Sequence, residues 1–519
     1  PVGTPNTIFG FMPAGTDDDL ILGHSARSEF PDARVDGFSD WFVRVRFGTE
    51  KEGLLVTYGH GSPFVFAEIR GGGARLTFPK PPAVWLGTER DAVLGITANG
   101  KPYGLFGPAG STWSGLGTDD NLATPDNWVG GSPPTATDDV VFTGSIRNNP
   151  VSTGQQYLTI TFDAAANPFV IGGSSIQTGT TAPAGGSVTN FSPFAQTFNC
   201  SLQPRTGTLF ASGGDIILNG GFNIGNGGNS SGRNVTVAGG RDVIVNTALT
   251  GTGTDSSAGG QLTKAGSGTL FLNGSSPAWN GKINLQIGAL VITNNDGLGS
   301  SSGSTVIASS GGSAVWDGRL ILSNNLTLAE RFTLGSRQQG SLNSAHILNL
   351  ATTNTLAGAI TLTTGGSRYN LQSDGGKLVV AGAISAGTLT GTRELRLAGS
   401  ADGELNGPVS GGGASIMFQF IKEGGGRWTL NGTNSINGNT LVNAGTLALG
   451  PTGRIAGSTN ISVAAGATLD VSAVSGGWVL AVNQTLAGAG TVLGNVTTAD
   501  GSRVRPGGPG AAGTLTFVN

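Results

Sequence analysis

The chain has 519 residues, of which 91 are glycine, 37% are apolar and 11% are charged, and its net charge is −3 at pH 7. Disordered chains combine low hydrophobicity with high net charge, and nucleic-acid-binding surfaces cluster Lys and Arg, so this composition excludes both classes. The single cysteine, Cys200, excludes an internal disulfide framework and a cysteine-based zinc site, and we expect it to be a small buried hydrophobe.

Many β-branched residues alternate with Gly, Ser, Asn and Thr, which predicts an all-β fold of short strands and tight turns. No run approaches the roughly 20 apolar residues that cross a bilayer, so we expect no transmembrane segment. The chain begins with Pro1 rather than Met, and we interpret it as a processed product whose targeting segment has been removed. Scarce Cys and abundant Gly, Asn, Thr and Ser favour a bacterial secreted or cell-surface protein.

Charge divides the chain into two regions. Residues 1–120 contain 24 of the Asp, Glu, Lys and Arg residues, whereas the remaining 399 contain 35. The change falls in the turn-rich segment STWSGLGTDDNLATPDNWVGG. We therefore predict a β-sandwich domain over 1–113, a linker and solenoid entry over 114–145, and glycine-rich β-solenoid repeats over 146–519.

The N-terminal region has a strand signal about every ten residues. In the segment DWFVRVRFG, the side chains of Trp41, Val43, Val45 and Phe47 alternate with those of the intervening residues, which is the pattern of a half-buried strand. Short strands with close turns and no helical interval predict an antiparallel β-sandwich.

The C-terminal region is repetitive. LTKAGSGTLFLNG at 262–274 aligns with FIKEGGGRWTLNG at 420–432, which places Lys264 opposite Lys422, and WNGKINLQIGALVI aligns with INGNTLVNAGTLAL after a one-residue slip. Such units bury their apolar faces by stacking. We predict a long right-handed parallel β-helix with aliphatic ladders inside, asparagine stacks, and corner glycines at positive φ. A string of separate β-sandwiches is the alternative.

These segments resemble the autotransporter-associated β-strand repeat of bacterial surface and secreted proteins. The repeat's form, a Lys, spaced glycines, LxLxG, then G and GxLxL, occurs at 262–292 and 420–449. The resemblance extends over about 115–519. It implies a β-solenoid that serves as a stalk, a passenger or a scaffold.

A second resemblance covers residues 36–113. The segments DGFSDWFVRVRFG, YGHGSPFVFAEI and KPYGLFGPAGSTW are similar to the N-terminal β-sandwich of glycoside hydrolase family 81, the endo-β-1,3-glucanases. In that family the catalytic carboxylates lie in a following helical domain. Here the solenoid entry follows instead, so we expect no catalytic residues and no hydrolysis from this chain alone.

Four residues of the N-terminal region are candidates for binding carbohydrate: His60, Glu68, Trp85 and Trp113. The alternatives are a turn histidine for His60, a rim or salt-bridged carboxylate for Glu68, and core or coil-capping roles for the tryptophans. The sequence contains no metal-binding motif, and we predict no cofactor.

Three functions remain open. The first is an extracellular structural protein, a solenoid stalk or fibre subunit that forms homo-oligomers or polymers through the solenoid ends. The second is a secreted protein that binds β-1,3-glucan through the sandwich or, together with a catalytic domain missing from this chain, hydrolyses it. The third is a surface adhesin, although the sequence names no receptor.

Overall fold

In the computed structural model, the N-terminal region is described for the backbone of 8–11, 18–25, 40–47, 51–58, 65–71 and 74–77. From 111 to 519 the chain is described except for 181–184, 225–232, 252–259, 309–315, 338–343, 388, 412–415, 509 and 511. The chain divides into two compact units, one made mainly of Pro1–Gly110 and the other of Ser111–Phe162 with Ala166–Asn519.

The first unit contains a six-stranded antiparallel sheet whose strands follow one another in chain order. Its strands are Ile8–Phe11, Asp18–Ser25, Asp40–Phe47, Lys51–Tyr58, Val65–Gly71 and Ala74–Thr77. The register between the second and third strands is regular. It pairs alternate residues of the two strands: Trp41 with His24, Val43 with Leu22, and Val45 with Leu20. The antiparallel strands agree with the prediction. The second sheet of the predicted sandwich lies outside the described residues and stays a prediction.

The second unit is a parallel β-solenoid of about fifteen turns, as predicted, and it replaces the alternative of separate sandwiches. Each coil passes through up to three strands, which we call the first, second and third faces in chain order. The right-handed sense stays a prediction. The described residues contain one short 3-10 helix, Pro125–Asn127, and no helix long and apolar enough to cross a membrane.

The faces are built from five sheets. The first face has thirteen strands: Ser111–Trp113, Asp139–Phe142, Thr159–Phe162, Gly186–Asn190, Gly207–Ala211, Asn234–Gly239, Gln261–Lys264, Lys282–Leu285, Ser304–Ile307, Arg331–Gly335, Ile360–Thr363, Ile384–Ser385 and Val409–Ser410. A separate pair, Trp478–Leu480 and Val496–Thr498, occupies the same place in the last coils.

The second face is continuous. Its sixteen strands are Val151–Ser152, Val170–Gly173, Gln196–Phe198, Ile216–Leu218, Val243–Val245, Thr269–Leu272, Ala289–Ile292, Arg319–Leu322, Ile347–Asn349, Arg368–Ser373, Gly391–Ala398, Ile416–Lys422, Thr440–Val442, Asn460–Val463, Thr485–Gly488 and Arg503–Pro506.

The third face is split into two sheets. The first has five strands: Gln155–Tyr157, Ser175–Thr178, Ser201–Pro204, Phe222–Asn223 and Leu249–Thr250. The second has nine: Thr327–Leu328, Thr353–Leu356, Lys377–Val380, Asp402–Leu405, Arg427–Leu430, Thr446–Leu449, Thr468–Asp470, Thr491–Leu493 and Thr516–Val518.

The core is a set of aliphatic columns that run along the solenoid. Ile160, Val188, Leu209 and Val237 lie in register on successive first-face strands and are almost completely buried. Strands such as Thr159–Phe162 and Gly207–Ala211 alternate buried and partly exposed residues, so one side of these strands faces this interior. Burying such a side chain contributes about 1.5–3 kcal/mol.

An asparagine stack follows one edge of the solenoid, as predicted. The side-chain amide of Asn219 donates to Asn199, that of Asn246 to Asn219, and that of Asn273 to Asn246, at 2.9, 2.8 and 2.8 Å. The in-register stacking of coils brings like amides to hydrogen-bonding distance, and each bond ties one coil to the next.

The segment around 111–145 covers the first coil with aromatic rings. Trp113 and Trp128 meet edge to face with centroids 5.3 Å apart, and Trp128 also lies 6.1 Å from Phe142 and 6.1 Å from Tyr157. All four residues are buried. Ser111–Trp113 and Asp139–Phe142 are already strands of the first face, so this aromatic cap is continuous with the stack below it.

Candidate functional site

Trp113 is the one candidate carbohydrate-binding residue with a described side chain. It is 1% exposed, packs against Trp128 and Phe142, and donates its indole N–H to the backbone oxygens of Ile146 and Arg147 at 3.2 and 3.3 Å. Stacking on a sugar requires an exposed ring face. Trp113 therefore occupies the capping position that was the alternative for the tryptophans.

Of the other three candidates, Glu68 is the one whose backbone is described. Glu68 lies in the strand Val65–Gly71, in register with Leu54 and Thr77. His60 and Trp85 lie outside the described residues. A carbohydrate site at His60, Glu68 and Trp85 stays a prediction.

A small cavity lies beside the first repeat and is lined by Ala248–Gly251 and Ser275–Trp279. Its volume is about 140 Å³. Pockets that bury a small-molecule ligand have roughly 300–1,000 Å³. This cavity is too small for an oligosaccharide.

The described residues offer little catalytic chemistry. They contain no group of three or more His, Cys, Asp and Glu side chains placed to hold a metal ion. Cys200 is buried, and burial raises the pKa of its thiol to about 12, so the thiol is protonated and unreactive at neutral pH. Burial and Arg337 lower the pKa of His346 to about 3, so this imidazole is neutral. Its Nε2 lies 2.7 Å from the oxygen of Gly335, and its Nδ1 accepts a hydrogen bond from the amide of Asn370.

The most distinctive polar groups of the solenoid are two buried lysines, one in each repeat. Lys264 lies in register between Val237 and Leu285, and Lys422 lies between Leu397 and Val442. Lys264 is 1% exposed and Lys422 is fully buried. Each lysine thus replaces an aliphatic residue in a core column. The period-2 pattern that puts Leu262 inside also places Lys264 inside, a signal that the sequence analysis left unused.

Each ammonium group is held by backbone carbonyls of two successive corners. Lys264 donates to the oxygen of Gly266 in its own coil and to that of Ile287 in the next coil, the latter at 3.2 Å. Lys422 donates to the oxygens of Glu423, Gly424 and Ala444 at 2.8, 2.7 and 3.1 Å. A buried ammonium is tolerated when such charge-assisted hydrogen bonds replace its hydration.

The corner above each lysine requires glycine, as predicted. Gly288 and Gly445 have φ of +81° and +63°, in the left-handed region. A Cβ atom on Gly288 would lie 2.8 Å from Nζ of Lys264, and one on Gly445 would lie 2.5 Å from the oxygen of Gly424. Glycine therefore lets the upper corner close onto the lysine and its carbonyls.

Each repeat also ends one sheet and caps the exposed edge. In the first repeat, Ser276 Oγ accepts a hydrogen bond from the amide of Leu249, in the last strand of the five-stranded sheet, at 2.9 Å. In the second, Asn434 Oδ1 accepts from the amide of Val409, in the last strand of the thirteen-stranded sheet, at 3.0 Å. Ser276 and Asn434 are separated by the same 158 positions as the two lysines. Ser276 and Asn434 are therefore equivalent caps. The sequence comparison did not identify them, because one is a serine and the other an asparagine.

The known proteins to which this chain is similar fall into two groups. Residues 262–292 and 420–449 match the family described as passenger-associated-transport-repeat, which confirms the predicted resemblance for those two segments. No solved structure matches the chain.

The second group consists of glucanases. The chain is 40% identical over 101 residues to a glucan endo-1,3-beta-D-glucosidase of Acetivibrio thermocellus, a match that covers 20% of this chain and 13% of that protein. It is 41% identical over 115 residues to a protein of the same name from Thermobifida fusca, covering 22% and 14%. The chain thus spans about one seventh of the length of these relatives, and a resemblance to endo-1,3-beta-glucanases is confirmed for about a fifth of the chain.

The buried lysines give the protein a characteristic pH dependence. Burial lowers the pKa of Lys264 and Lys422 from 10.5 to about 8. Below pH 8 both lysines are protonated in the folded and unfolded chains. Between pH 8 and 10.5 the unfolded chain binds more protons, so the contribution of each lysine to the free energy of unfolding rises with pH.

We therefore expect the stability of the wild type relative to K422M to increase between pH 7.5 and 10, by at most about 1.4 kcal/mol per pH unit. Urea denaturation at several pH values measures this difference, and groups common to both proteins cancel. K264M, which removes the equivalent lysine of the first repeat, should show the same trend. A flat difference for K422M would contradict the assignment.

Proposed function

We propose that the protein is an extracellular passenger in which the parallel solenoid forms a rigid stalk. The observation that carries this proposal is that both segments similar to passenger-associated transport repeats lie in one continuous parallel stack and make equivalent lysine and edge-capping contacts. The second face runs unbroken through both repeats. A stack of this kind places groups at its two ends far apart and holds that separation.

The buried cysteine supports an extracytoplasmic location. Disulfide exchange requires an accessible thiolate, and Cys200 is buried with a raised pKa. Such a thiol is compatible with passage through an oxidising compartment, because it offers no surface group for crosslinks.

Protease treatment of intact cells of the natural host tests the location. We expect proteinase K to remove the protein from intact cells, or the protein to be found in the medium, while a cytoplasmic marker stays protected. Protection of both proteins until lysis would contradict the proposal.

A second proposal concerns the first unit, because the two glucanase relatives share about 100 residues with this chain. We propose that the matching residues belong to the N-terminal region and that it binds β-1,3-glucan through His60, Glu68 and Trp85. The expected result is retention of the full chain on insoluble β-1,3-glucan but not on cellulose, without release of reducing sugar. The triple variant H60A/E68A/W85A should lose retention.

A matched control keeps this test specific. Asp500 is an exposed carboxylate on the solenoid, and D500N should bind glucan as the wild type does. Equal retention of the triple variant would move binding away from those three residues. No retention of the wild type would leave the first unit as a structural or adhesive element.

Association of solenoid ends is the third part of the proposal. At one end the aromatic cap covers the first coil, so a neighbour there would contact the surface of the cap, where Leu116 is 73% exposed. Sedimentation velocity over a range of concentrations tests this. A single monomeric species at every concentration would exclude polymerisation through the ends.

A further inference from the structure

Each repeat interrupts one face of the solenoid for two coils. After Leu249–Thr250 the third face is crossed by the non-strand segments 273–281 and 293–303, and a new sheet begins at Thr327–Leu328. The second repeat does the same to the first face.

After Val409–Ser410 the first face is crossed by 431–439 and 450–459, and a new sheet begins at Trp478–Leu480. Among the described residues, the strand pairing across this interruption is reduced to two isolated bridges, Ser410 to Ser435 and Thr433 to Arg454.

The interruption replaces a regular ladder on one side of the stack by a few isolated backbone hydrogen bonds. In the first repeat these include Ser276 N–H to the oxygen of Asp296 and Ser300 N–H to the oxygen of Trp279. In a solenoid each coil contacts only its neighbours, so the free energy that couples two coils is the sum of what their faces share. A coil pair that lacks one of three ladders is a weak point at which the stack can separate. The edge caps Ser276 and Asn434 satisfy one amide each and do not restore the ladder.

The two lysines join the coils that have lost this ladder. Lys264 belongs to the coil that contains 273–281, and its acceptor Ile287 belongs to the coil that contains 293–303. The coils joined by Lys422 and Ala444 contain 431–439 and 450–459.

The position of each lysine within its coil follows the same rule. Lys264 ends a first-face strand at the corner with the second face, and the interrupted third face lies opposite that corner. Lys422 ends a second-face strand at the corner with the third face, and the interrupted first face lies opposite. The second repeat is thus displaced by one face relative to the first, and its lysine is displaced by one corner.

We propose that each repeat is an internal staple: its buried ammonium holds two coils together at the corner opposite the face that has lost its sheet, so that the stack remains cooperative across the interruption. Replacing the lysine removes hydrogen bonds from carbonyls of both corners and leaves them buried without a donor. The lost stabilisation is confined to the boundary between these two coils and does not affect the rest of the solenoid.

Native-state hydrogen exchange of the full chain tests the staple. In K264M we expect amides of 282–292 to exchange at least tenfold faster than in the wild type, and unfolding to divide into two steps with its boundary between the two stapled coils. K422M should place the boundary between 420–430 and 440–449 instead. Unchanged exchange, or faster exchange spread evenly over all coils, would overturn the proposal.

Two further variants separate the staple from a general loss of stability. K282M changes a partly exposed lysine in one of the same two coils. It should retain wild-type hydrogen exchange and should unfold without a division between the two coils. S276A removes the edge cap while keeping the lysine, so only the amide of Leu249 and its neighbours should exchange faster. If K264M does not fold, K264Q, which keeps neutral donors, should show the same boundary with a smaller acceleration of exchange. A divided transition in K282M or S276A would also overturn the proposal.

Discussion

Replacing Trp128 with alanine is expected to lower the free energy of unfolding by about 3–5 kcal/mol, the range for removing a large buried aromatic side chain. Trp128 is 2% exposed, contacts Trp113, Phe142 and Tyr157, and donates its indole N–H to the oxygen of Leu122 at 2.8 Å. Its removal exposes the interior of the first coil. Urea denaturation followed by near-ultraviolet circular dichroism measures the loss, because that signal reports aromatic packing.

Two variants control for this effect. W128F retains an aromatic ring and loses the hydrogen bond, so it should cost about 1–2 kcal/mol. L116A changes a residue of the same segment that is 73% exposed, and it should fall within about 0.5 kcal/mol of the wild type. A W128A protein as stable as L116A would show that the aromatic cap does not protect the solenoid.

The second large effect is expected from one added methyl group at Gly281. A Cβ atom there would overlap the six-membered ring of Trp279 and lie 2.6 Å from the oxygen of Gly260. Trp279 is fully buried in the segment that replaces the third-face strand. G281A must therefore displace either the indole or the coil, at a cost of roughly 3 kcal/mol.

Thermal unfolding of matched variants identifies the clash. Gly425 has no heavy atom within 4 Å of the place of its missing Cβ, so G425A should be neutral. In a W279A background the ring is gone, and G281A should cost far less than it does alone, a non-additivity expected of residues in contact. Additive losses would show that Gly281 acts through the backbone and not through Trp279.

The repetitive part of the fold was predictable because its signals are local. Alternation within a strand identifies inward residues, and the 158-residue offset aligns Lys264 with Lys422. The faces were not predictable, since the coil length varies. The inward column advances 27 residues from Val237 to Lys264 and 21 residues from there to Leu285. Without a constant period, the sequence does not reveal that the two repeats lie on different corners.

In the solenoid entry, by contrast, the local signals did not predict the side-chain packing. Its turn-forming composition predicts a linker, and those turns are present, but Trp113 and Trp128 are held by Phe142 and Tyr157 from later strands. Side-chain burial of this kind depends on contacts between distant segments. The sequence alone left Trp113 open between a sugar-stacking and a capping role.

The displacement by one face between the two repeats is useful if the solenoid is to serve as a scaffold. Pro277 and Ala456 are exposed positions in strand-free segments, one on the third face and the other in place of the first. Exposed segments without strand pairing are the sites where insertions are best tolerated. Peptides or fluorophores grafted at these two positions would project from different sides of the same solenoid, separated by the coils between them.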